Sequence, residues 1–87
     1  MADLVLEYAG DAISGARDSI QPIFHLTASN ERGRAMLRML ADPADPPAAD
    51  PYGRKFIVLL EEQLDDIVRR AELAGLTVER SERQGSF

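Results

Sequence analysis

The chain predicts a small α+β domain in the order β-β-α-α-β, with two helices packed on a small sheet. Three features carry that expectation. Residues 20–27 alternate, with Ile20, Pro22, Phe24 and Leu26 set against Gln21, Ile23, His25 and Thr27, the period of a half-buried strand. Residues 57–74 place Ile57, Leu60, Leu64, Ile67, Ala71 and Ala74 at spacings of three and four, the period of a helix with one apolar face. Between them, Pro43, Pro46, Pro47 and Pro51 exclude both a continuous helix and a central strand. An all-α bundle is the alternative, because residues 3–20 also fit one half of a helical wheel.

In chain order, Leu4, Leu6 and Tyr8 alternate as a strand would, and Gly10 and Gly15 each cost a helix about 1 kcal/mol relative to alanine. Residues 3–20 therefore read as strand followed by loop. Pro22 confines the second strand, 20–27, to an edge or to its first pairing position. The run "NERGRAMLRMLAD" predicts a helix over about 30–41, with Met36, Leu37 and Leu40 on the face of Gly33 and with Thr27 or Ser29 as its cap. Residues 42–50 read as a stiff connection between two helices. Asp50-Pro51 is an N-cap followed by proline in the first turn, so the second helix is expected over roughly 51–74. Gly75 would end it in the left-handed conformation, with Leu76 folded back on the last turn. "TVERSE" suits a short strand, and 83–87 reads as a disordered tail. All 87 residues are expected to form one domain.

With no cysteine and one histidine, neither a disulfide nor the usual structural zinc sets are available, so no metal and no cofactor are expected. Neither a secretory leader nor a membrane span is expected, which makes the cytoplasm the default location. The net charge of −5 disfavours direct nucleic-acid binding, which needs clustered cations. It favours partners with basic grooves.

Two candidate sites follow. Ser29, Arg32, Arg34 and Arg38 surround the start of the first helix, where free N–H groups suit an anion. The plain alternative is a capped helix with solvated arginines. His25 faces away from the core if Phe24 and Leu26 face it, and without a nucleophile motif it reads as a surface residue. The second candidate is an interaction surface: Glu61, Glu62, Asp65 and Asp66 form an acidic patch, and Val58 and Leu59 extend "FIVLL" around the expected helix. A helix turn apolar on every side must be covered on every side. A homodimer through the long helix, or a tightly held protein partner, is therefore expected.

The functional expectation is a small acidic interaction protein without enzymatic activity: an adaptor, an inhibitor or a regulatory subunit. One such reading is an inhibitor from a mobile element that occupies the basic groove of a nucleic-acid enzyme. The alternative from another class is an anion-binding or enzymatic domain using His25 with the arginines of 32–38.

Overall fold

A computed structural model of the chain describes residues 2–14 and 19–81; the expected tail at 83–87 lies outside them. The strands are β1 (Leu4–Ser14), β2 (Ser19–Ala28), β3 (Ala48–Ala49), β4 (Lys55–Leu60) and β5 (Val78–Arg80). The helices are α1 (Glu31–Leu40) and α2 (Leu64–Leu73), the latter entered through a single 3-10 turn, Glu61–Gln63. The strands form one mixed sheet in the order β3-β4-β2-β1-β5. The α+β class with two helices is therefore as expected, and residues 4–14 are strand.

The hairpin β1–β2 is antiparallel, with Leu6 opposite Leu26 and Glu7 opposite His25, and its register shifts between Tyr8 and Gly10. Gly10 has φ 122°, a backbone region that favours glycine. The ring of Tyr8 meets Phe24 edge-on at 5.7 Å between centroids. β5 lies parallel to the first residues of β1, pairing Leu4–Leu6 with Val78–Arg80.

The expected helix over 51–74 is the main correction. Its first half is a turn and a strand, and only Leu64–Leu73 is α-helical. β4 pairs antiparallel with β2 along Ile23–Thr27, which gives Phe56, Ile57 and Val58 the pleated setting that aromatic and β-branched residues prefer. "FIVLL" is apolar on both sides of a strand, not around a helix. Asp50-Pro51 opens a tight turn: the Asp50 carboxylate accepts from the amides of Tyr52 at 2.9 Å and Arg54 at 2.8 Å, and Gly53 has φ 84°. Aspartate and proline start turns as readily as they start helices. Residues 42–50 accordingly lead from α1 into the β3–β4 hairpin rather than into a second helix.

The end of α2 follows expectation. Gly75 has φ 90°, the amide of Leu76 donates to the Ala71 carbonyl at 3.0 Å and that of Gly75 to Glu72 at 3.0 Å, and Leu76 is buried. This is the paired-bond termination in which a left-handed residue lets the chain satisfy two orphan carbonyls.

The core joins one side of the sheet to both helices. Leu4, Leu6, Leu26, Ala28, Ile57 and Leu59 meet Met36 and Leu37 of α1 and Leu64, Ile67 and Ala71 of α2. Because side chains alternate across a strand, Val5, Glu7, Ile23, His25, Thr27, Phe56, Val58 and Leu60 occupy the opposite side. Among the described residues, no helix covers that side.

Candidate functional surface

The start of α1 is occupied by the chain itself. Asn30, rather than the expected Ser29 or Thr27, caps the helix: its side-chain oxygen accepts from the Gly33 amide at 2.9 Å. Its amide nitrogen donates to the carboxylate of Asp3 at 2.8 Å. The other Asp3 oxygen accepts from the Thr77 amide at 3.0 Å, and the Asp3 carbonyl accepts from the Ser29 amide at 2.9 Å. The Asp3 carboxyl is held below its ordinary pKa, first by the Asn30 hydrogen bond and then by the Thr77 amide, against the opposing effect of burial; the nearby Arg32 guanidinium adds to the lowering. An internal carboxylate thus sits where an external anion was expected.

Arg32 donates to the Gly75 carbonyl at 2.9 Å, so it ties the start of α1 to the end of α2. Ser29 is exposed and contributes its backbone. Arg34 pairs with Glu31 one turn earlier. Arg34 and Arg38 turn along the flank of α1 and, with Lys55, Pro46 and Pro47, line a separate hollow of about 230 Å³. The four anion candidates are therefore divided: Ser29 and Arg32 belong to the fold's internal ties, while Arg34 and Arg38 share a second location with Lys55.

The expected interaction surface is divided too. Leu59 is 4% exposed in the core, whereas Val58 is 54% exposed on the other side of the sheet. Leu59 thus drops out of any surface, because neighbours on a strand point in opposite directions. Glu61 and Glu62 lie in the 3-10 turn beside Gln21 and Pro22. Asp65 and Asp66 are exposed on α2, and Asp66 meets Arg70 at 3.1 Å. Glu61 and Glu62 thus stand at the end of the Val58 side of the sheet, beside Gln21, whereas Asp65 and Asp66 belong to α2 on the opposite side.

The helix-free side of the sheet is the surface that sequence reasoning missed. Cross-strand rows run Val5–Thr27–Phe56, Glu7–His25–Val58 and Gly10–Ile23–Leu60. His25 lies against Phe56 with ring centroids 4.5 Å apart, so its ring is part of an apolar surface. Thr27, the hydroxyl two residues along, is buried between its neighbours. Glu79 lies opposite Val5 on β5, which sets Glu79 and Glu7 toward the β1–β5 side while Phe56, Val58 and Leu60 fill the β4 side. Residues 56–60 are apolar without a break, so no alternation in the sequence marks which of them face away from the core.

Among the described residues, no group of histidine and carboxylate side chains is placed to hold a metal, and no helix is long and apolar enough to cross a membrane. The chain matches no family model, no curated protein and no solved structure.

Proposed function

We propose that this protein is a non-enzymatic interaction module that docks a protein partner on the helix-free side of its sheet. The observation that supports this is the exposure of Val58, at 54%, among Ile23, His25, Phe56 and Leu60 on one continuous surface. An antiparallel sheet with one solvated side ordinarily alternates apolar-in with polar-out, and β4 departs from that pattern. The borders are acidic, with Glu7 and Glu79 on one side and Glu61 and Glu62 at the end of β4. A partner whose contact has an apolar centre and a basic rim fits this distribution, since rim charges steer and orient docking. Nucleic-acid enzymes with exposed basic grooves belong to that class, and an adaptor or inhibitor role follows from the same contact.

The test compares wild type with Val58→Asp and Glu72→Lys, the latter an exposed position on α2. Each is used to capture partners from the native host, with thermal melting as a control for folding and light scattering to read self-association. A specific partner held by wild type and Glu72→Lys, and lost with a folded Val58→Asp, is the expected result. Capture by Val58→Asp equal to wild type would remove the sheet surface from the interaction.

A further inference from the structure

The hollow between α1 and the β3–β4 hairpin carries a second assignment, independent of the sheet surface. Arg34 and Arg38 stand one helical turn apart on α1, where side chains four residues apart are neighbours, and Lys55 reaches the same space from the first position of β4. Like charges at that spacing repel unless something answers them. Glu31 answers Arg34; Arg38 and Lys55 have no ion-pair partner among the described residues. The nearby acids are otherwise placed: Asp50 is engaged by Arg54 at 2.8 Å, while Asp42 and Asp45 line the neighbouring hollow behind Pro46. In a chain of net charge −5, a hollow lined by three cationic residues, with Glu31 pairing only Arg34, carries a local excess of positive charge.

The walls also select. Pro46 and Pro47 supply rings with no amide hydrogen to donate, and the stems of arginine and lysine are aliphatic. Polar recognition is thus left to the charged ends, with an apolar wall for the rest of the ligand. We propose that this hollow binds a phosphate monoester, with the doubly charged phosphate held between Arg38 and Lys55 and the esterified group against Pro46 and Pro47. The two charges left after Glu31 has neutralised Arg34 match the dianion, and guanidinium groups present paired donors suited to phosphate oxygens.

Two sources share this chemistry, a small free metabolite and a phosphorylated side chain, and the probes separate them. Amide NMR titrations of the intact protein use phenyl phosphate, inorganic phosphate and a phosphoserine tripeptide. Saturable shifts confined to the amides of residues 34–38, 48 and 55 are expected with at least one ester. Tighter binding of phenyl phosphate points to a free ligand, and tighter binding of the tripeptide to a modified side chain. Arg38→Ala and Lys55→Ala should each weaken binding about tenfold or more, as the loss of one hydrogen bond to a charged group does. Arg69→Ala, on α2, should leave it unchanged. Binding should also fall below pH about 6, where the ester loses its second charge. Shifts spread evenly over all arginines, Arg69→Ala weakening binding as much as Arg38→Ala, or no saturation with either ester would each overturn the assignment.

Discussion

Gly33 offers a test in which two physical effects predict opposite signs. It lies inside α1, where alanine is favoured over glycine by about 1 kcal/mol, so propensity alone predicts that Gly33→Ala stabilises the protein. The packing predicts the reverse. A Cβ at this position would lie 2.3 Å from the Asp3 carbonyl oxygen and 3.2 Å from both Cα and Cβ of Ala28. Both neighbours are fixed: the Asp3 carbonyl accepts from the Ser29 amide at 2.9 Å, and Ala28 is buried and paired with Leu4. Relief requires α1 to move away from the sheet and, because the clashing atom is the Asp3 carbonyl oxygen, costs that carbonyl its hydrogen bond as well. Overpacking typically costs about 1–3 kcal/mol and a lost hydrogen bond about 1 kcal/mol. Set against the helix gain, the net loss is about 2 kcal/mol. In a domain of this size that lowers Tm by about 10 °C. Urea denaturation read by circular dichroism measures it directly. A Gly33→Ala variant more stable than wild type would mean that α1 does not approach the start of β1 this closely.

Asp3 should give the protein an acid-sensitive component. Its folded-state pKa lies below the ordinary 3.8, so its contribution is fully present above that value and is lost as the pH falls through the depressed one. Asp3→Asn should therefore be less stable than wild type at neutral pH, with the gap narrowing in acid; a gap independent of pH would show that the charge is not what matters. Adjacent positions on β4 should respond unequally: Leu59→Ala, at a core position, should cost about 2–5 kcal/mol, whereas Val58→Ala should cost under about 1 kcal/mol. Equal losses in denaturant titrations would refute the strand and restore a helix through "FIVLL".

What was legible in the sequence was mostly what neighbours decide. The alternation in β2, the apolar face of α1 and the termination at Gly75-Leu76 all depend on residues within a few positions of one another. β4 was misread because Ile57 and Leu60 happen to continue the spacing of Leu64, Ile67 and Ala71 across the boundary into α2. Over five residues, an apolar run does not distinguish strand from buried helix, and Asp50-Pro51 serves either beginning. That one error moved Val58 and Leu59 onto a common helix and hid the sheet surface. The anion candidates were divided by contacts no local pattern encodes: Asp3 reaches Asn30 across 27 positions and Thr77 across 74. Lys55 joined Arg34 and Arg38 only because the β3–β4 hairpin returns it beside α1.

The apolar side of β4 has an alternative cause that must be weighed against docking. Phe, Val and Ile favour strands even where they are exposed, so Phe56 and Val58 could serve only to form the strand. Strand preference alone fits the surface poorly. Threonine has a comparable preference and tolerates water, and it stands at position 27 of the same face, where it is buried rather than exposed. The most exposed member, at 54%, is instead valine. Ile23 and Leu60 form a further apolar pair at the end of the β2–β4 ladder, where pairing makes the smallest demand on β-branched or apolar side chains. A chain of 87 residues also has little apolar surface to spare from its own core. Placing Ile23, Phe56, Val58 and Leu60 together on the side away from both helices forgoes burial that the domain could have used. Coverage by a partner's surface, as proposed, would offset that cost.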